Sequence, residues 1–185
     1  MNVLAPQRMT VADYLAWCRR QPSGRYELIR GRPVQQPAER ALHLRVKSRV
    51  FVALSGAVRQ AQLDCEVLPD GATVQVGEHE AFEPDALVYA GGPVPDDTIV
   101  IPEPLIVVEV LSHSTMATDT GRKLAGYFSV ASLRHYLIVD AETQIITHHR
   151  RRDDSGIETL LIERDTFRLD PPGLVVAHAA FFGNA

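Results

Sequence analysis

The chain has 185 residues, 45% hydrophobic and 23% charged, which is ordinary for a folded globular protein and enough for one substantial domain over residues 1–185. No apolar run nears the ~18 residues needed to cross a bilayer and the N-terminus has no apolar signal core, so no membrane association and a cytoplasmic location are expected. The net charge of −4 argues weakly against a nucleic-acid binder, and Cys18 and Cys65, with no metal-ligand spacing, are expected to be reduced.

Thr10 and Asp13 have capping-box spacing, which predicts a short helix over Val11–Arg19, stopped by Pro22, Ser23 and Gly24. "RYELIRGRPVQQP" alternates apolar and polar residues around Arg30-Gly31 and reads as a β-hairpin. From Glu39 to Gln62, Leu42, Val46, Val50, Leu54 and Val58 recur every four positions, one stripe of a long amphipathic helix. "CEVL" and "ATVQV" are strands flanking a Pro69-Asp70-Gly71 turn, and "ALVYA" is a strand following Pro84-Asp85. A Gly/Pro-rich loop over 91–104 leads to "LIVVEVLSHST", which opens as a buried strand. Residues 117–130 have helical composition, with Leu124, Tyr127 and Phe128 on the buried side. "HYLIVDA", "QIITHHR" and "IETLLIE" complete the strands. This order predicts an α/β (α+β) domain with a central mixed sheet and extra N-terminal elements.

Glu109 interrupts an otherwise apolar strand. A lone ionised carboxylate is costly to bury, so it must be paired, protonated or bound to a cation. Asp85 is the other notable acid, because of three Pro-Asp dipeptides it alone directly precedes an apolar strand. Asp70, before Gly71, reads as a turn residue. If the strands at 86–90 and 105–111 are neighbours, Asp85 and Glu109 can converge on one Mg²⁺ or Mn²⁺, since hard cations take oxygen ligands. Lys123, about one turn into the following helix, could reach back to orient a bound water or neutralise charge on a phosphate.

These residues carry a resemblance. Pro84-Asp85, Val108-Glu109-Val110 and a helical Lys123 resemble the PD-(D/E)XK nuclease superfamily. "RYELIRGRPV", "HLRVKSRVFVAL", "EPDALVY", "LIVVEVLSHST", "DTGRKLAGY" and "HYLIVD" are similar, in order, to the Uma-two family of restriction-endonuclease-like proteins, from about Met9 to Asp140. The resemblance implies a restriction-endonuclease-like αβββαβ core with flanking helices, preceded here by an N-terminal helix and hairpin. It implies a divalent-metal-dependent phosphodiesterase site. Asp85, Glu109 and the Val110 carbonyl would be its metal ligands and Lys123 its catalytic lysine, with Glu27 and His43 completing the pocket. Two departures stand out. Leu111 occupies the place two residues after the acid where the superfamily pattern has lysine, and His113 stands where the family usually has proline.

Each residue also has a plainer reading. Glu109 could be a structural ion pair with Lys123; Glu27 could face solvent; His43, with Lys47 one turn on, could lie on a solvated helix face. Asp119 would charge a helix N-terminus. His148-His149-Arg150-Arg151-Arg152 reads first as a solvated strand end and second as a phosphate contact; Arg40, Arg45, Lys47 and Arg49 form another basic area. The expectation is a Mg²⁺- or Mn²⁺-dependent endonuclease, with DNA as substrate by resemblance and a homodimer as its assembly. The alternatives are a catalytically idle domain of the same fold that binds nucleic acid or protein, and a metal-dependent hydrolase of another phosphate ester.

Overall fold

The computed structural model describes residues 8–111, 120–154 and 156–183. His113, Asp119 and the first residues of the helix expected from Ala117 lie outside them. Helix α1 (Val11–Cys18) begins with the expected reciprocal cap: the Asp13 N–H donates to Thr10 Oγ1 at 3.2 Å, and the Asp13 carboxylate accepts the Thr10 N–H at 3.1 Å. Strands β1 (Tyr26–Ile29) and β2 (Arg32–Gln35) form the hairpin. Its two turn residues, Arg30 and Gly31, both have positive φ, the backbone twist that a two-residue hairpin loop requires.

Helix α2 (Ala41–Ala61) buries Val46, Val50, Leu54 and Val58 of the expected stripe, whereas Leu42, in its first turn, is exposed. The chain continues through β3 (Cys65–Pro69), β4 (Val74–Gly77), β5 (Glu80–Phe82), β6 (Ala86–Ala90) and β7 (Pro104–Leu111) to α3 (Thr120–Ser129). Then come β8 (His135–Asp140), β9 (Ile146–Arg151), β10 (Ile157–Ile162), β11 (Thr166–Leu169), β12 (Leu174–Ala177) and the short α4 (Ala179–Phe182).

Six strands form the central sheet in the order β10-β9-β8-β7-β6-β3. It is mixed, because β7 and β8 run parallel across the α3 crossover while the other neighbours are antiparallel. The succession α2-β3-β6-β7-α3-β8 is the expected αβββαβ core. β3 and β4 flank the Asp70-Gly71 turn but enter different sheets: β3 pairs with β6, while β4 joins β5, β1 and β2 in a second, four-stranded sheet.

Alternation along β7 divides the core. Val108 and Val110 pack in a cluster with α2 residues and the β11–β12 hairpin, whereas Val107 packs in another with Tyr127 of α3 and Phe82 of β5. Glu109 shares the parity of Val107 and so faces α3. That parity brings the second sheet, α3 and Glu109 together.

The run from His148 to Arg152 is a solvated strand end only at Arg152, which is exposed and pairs with Asp154. His148 and His149 are buried, and Arg150 pairs with Glu158 across β9 and β10. Arg151 donates to the Phe128, Val130 and Leu133 carbonyls and lies over the Phe128 ring. Arg151 thus ties the end of β9 to the end of α3.

Candidate active site

Three elements deliver charged groups to one point at the end of β7. Glu27 comes from β1, Glu109 from β7 and Lys123 from α3, one turn after its start. The Lys123 ammonium donates to Glu27 Oε1 and to Glu109 Oε1, each at 2.9 Å. The Tyr127 hydroxyl donates to Glu109 Oε1 at 2.5 Å, and the Glu83 N–H to Glu27 Oε1 at 3.0 Å. Glu109 therefore has the ion pair considered as its plain explanation, and Glu27 does not face solvent but is 2% exposed. Burial pushes the Glu109 carboxyl up to about 7, against the downward pull of Lys123. Burial likewise opposes the charge on Lys123, but Glu109 and Glu27 outweigh it and hold the ammonium's pKa above its ordinary value.

Asp85 brackets Glu109 from the neighbouring strand. Its N–H donates to the Val108 carbonyl at 2.9 Å, and its Oδ2 accepts the Val110 N–H at 2.6 Å. The residues before and after Glu109 are thus both tied to Asp85. His43, in the first turn of α2, hydrogen-bonds the Val110 carbonyl through Nε2. A carbonyl only accepts, so Nε2 carries the proton. His43 Nε2 is also 4.0 Å from Asp85 Oδ2. The structure thus places Asp85, Val110 and His43 in one contact network and Glu27, Glu109 and Lys123 in another, the two joined through the backbone of β7.

Sequence reasoning missed a second group of acids beside Asp85. Glu39, Asp70 and Asp85 each offer an oxygen within 4.8 Å of the others, a grouping that could hold a metal ion. Lys47 stands among them, with Nζ 2.8 Å from Glu39 Oε1, 2.5 Å from Asp70 Oδ2 and 2.8 Å from Asp85 Oδ1. Arg25 flanks the group, 2.7 Å from Asp70. Asp70 is therefore a network member as well as a turn residue, and Lys47 is 6% exposed rather than part of a solvated basic face. Nothing local in the sequence signals this, because the acids come from the approach to α2, the turn after β3 and the start of β6. The spacing of Lys47 from Val46 and Val50, both buried, was the one available hint.

A groove of about 270 Å³, lined by Leu44, Lys47, Ser48, Phe51, Pro69, Asp70 and Asp85, opens beside this group. Asp85, Glu109 and the Val110 carbonyl offer only oxygen donors, which suits a hard dication; in the neighbouring cluster, which Lys47 enters, Glu39 Oε2 is buried and without a hydrogen-bond partner among the described residues.

Comparison with known proteins agrees with the architecture. A crystal structure described as "a putative nuclease belonging to DUF820", from Anabaena variabilis ATCC 29413, matches with a TM-score of 0.71 over 94% of this chain and 97% of that one. At 17% identity the likeness shows a shared fold, the restriction-endonuclease-like one. An uncharacterized protein of Synechocystis sp. PCC 6803, sll1609, is 26% identical over 157 residues, covering 83% of this chain and 87% of its own. The family model described as "Uma2: Putative restriction endonuclease" matches residues 11–177. With nearly the whole chain matched, its fold of the expected kind and acidic groups gathered at the end of β7, the protein belongs to the Uma2 family.

Proposed function

We propose that the protein is a divalent-metal-dependent endonuclease that hydrolyses phosphodiester bonds, with DNA as substrate. The observation that carries this reading is the pairing of Asp85 with the backbone on both sides of Glu109, where Lys123 and Glu27 also converge. Asp85, Glu109 and the Val110 carbonyl would hold Mg²⁺ or Mn²⁺. The carbonyl has two lone pairs, so its bond from His43 leaves one for a cation. A bound dication would supply a water of lowered pKa and neutralise charge on the phosphate.

The chain's own residues do the rest. Lys123, paired with Glu27 and Glu109, brings a positive charge to this point. It orients Glu109 and offsets charge that develops on the phosphoryl oxygens. Glu27 keeps Lys123 aimed at that point. His43 fixes the Val110 carbonyl, and with it the end of β7. Water attacks phosphorus in line, losing a proton to solvent, and one P–O ester bond breaks, the leaving oxygen taking a proton from solvent, with no covalent enzyme intermediate. Action on both strands would need two such sites, which a homodimer in the cytoplasm would provide.

Nicking of supercoiled plasmid with Mg²⁺ or Mn²⁺ tests this, with Glu109→Ala and Asp85→Ala beside the parent. Cleavage by the parent, stopped by chelator and absent in both variants, is expected. Equal cleavage by the parent and either variant contradicts it. Failure of the parent on DNA and RNA across metals and salt favours the idle domain.

A further inference from the structure

The Lys47 cluster contains a cation that the chain itself supplies. Glu39, Asp70 and Asp85 each offer an oxygen within 4.8 Å of the others, so the cluster has the donors for a divalent ion of its own beside the Asp85 and Glu109 pair. An ammonium, that of Lys47, occupies the cluster instead. It has three N–H donors and three carboxylate neighbours, at 2.8, 2.5 and 2.8 Å, so its hydrogen-bonding capacity is spent. The side chain is 6% exposed, a depth at which a lysine is stable only when paired. The cluster still carries an excess of oxygen ligands, since Glu39 Oε2 is buried with no hydrogen-bond partner among the described residues. Three carboxylates facing one ammonium are under-neutralised there, even with Arg25 at the rim, and a dication would balance them better.

We propose that Lys47 is a built-in cation that fills the Glu39–Asp70–Asp85 cluster in place of a second divalent ion, so that each chain binds one such ion, at Asp85 and Glu109. This rests on the metal-dependent reading above. It makes Lys47 a positioning residue: it holds Asp85 Oδ1 while leaving water activation to a single ion. An ammonium is not removed by chelators and does not lower the pKa of a water as a dication does. The single exchangeable ion would then account for the whole metal response.

The test is the number of Mn²⁺ ions bound per chain, measured by equilibrium dialysis and by titration calorimetry, with no substrate present. The parent is expected to bind one and Lys47→Met two; Lys47→Arg, which restores a cation, should bind one. A folded Lys47→Met chain binding no more than the parent overturns the proposal, as does a parent that binds two ions with Lys47 in place. Glu39→Gln/Lys47→Met covers the case in which the single variant does not fold. It removes one charge of each sign and keeps an amide oxygen at position 39, so it should also bind one ion more than the parent, and the same rule decides. Glu109→Gln in the parent background probes the underlying reading separately, since it should take the count from one to none. A parent that binds none overturns the proposal as stated; if Lys47→Met then binds one, the failure lies in the Asp85–Glu109 reading and not in the filling of the cluster by Lys47.

Discussion

The ammonium of Lys123 lies 2.9 Å from Glu109 Oε1, and this contact resolves the oddity of an acid within a buried apolar strand. The same ammonium is shared with Glu27 at 2.9 Å, so one lysine serves two buried carboxylates from two different sheets. Its loss therefore costs more than an ordinary ion pair. Lys123→Met, close in length but neutral, leaves Glu27 and Glu109 facing each other with no counter-charge. Stability should fall by about 3–5 kcal/mol, the usual penalty for orphaning a buried charge. Glu109→Gln, which keeps an acceptor for Tyr127, should cost clearly less. Urea denaturation of the two variants and the parent checks the order; equal losses would contradict it.

Acid stability should depend on a pair of buried histidines far from the carboxylates. His135 Nε2 faces the Pro171 carbonyl at 2.9 Å and so must carry a proton, which leaves Nδ1 to accept from His148 Nε2 at 2.9 Å. Burial, before any neighbouring charge, lowers their pKa values from 6.5 to about 4 for His135 and about 3 for His148. The unfolded chain takes up these protons as pH falls below 6.5 and the folded chain does not. The contribution is thus fully present above pH 6.5 and lost as pH falls through about 4 for His135 and about 3 for His148, on the order of a few kcal/mol. Melting temperature measured from pH 7 to pH 4 should drop steeply in the parent. The drop should be about half as large in His148→Gln, whose amide can still donate to His135. An unchanged slope would show that the pair does not govern acid stability.

The seat of α3 is set by a close approach. A Cβ on Gly126 would stand 2.7 Å from Phe82 Cε2 and 3.1 Å from Val76 Cγ2, and Phe82 is fully buried, so its ring has little room to yield. Gly126→Ala should destabilise by about 1–3 kcal/mol through overpacking. It should also lower cleavage beyond that, because α3 carries Lys123 and Tyr127. Comparing cleavage rates at a temperature where parent and variant are both folded separates the two effects; a fully active variant would show that α3 need not be held so closely.

Much of this was legible in the sequence, for physical reasons that can be named. The reciprocal cap at Thr10 and Asp13, the four-residue stripe of α2 and the apolar run of β7 are local patterns, and each produced the element it implies. The contact of Lys123 with Glu27 and Glu109, and that of Asp85 with the backbone on either side of Glu109, lay in the ordered motifs and not in any periodicity, since none places β1 beside α3. What escaped was non-local or short. β5 has three residues, too few to show alternation. The β11–β12 hairpin packs against α2 through Phe167, Leu169, Leu174 and Val176, a contact that no spacing announces. Lys47 sits among arginines on α2 and looked solvated, because the carboxylates that bury it lie on three separate segments. Tyr127 was legible as a buried aromatic but not as a donor to Glu109.

The most direct test is the anomalous difference map of a crystal grown or soaked with Mn²⁺. A peak coordinated by Asp85 and Glu109 is the expected result, with Lys47 still at Asp85 Oδ1. Strong peaks elsewhere and none at these two carboxylates, under saturating Mn²⁺, would contradict a metal-dependent nuclease site at the end of β7.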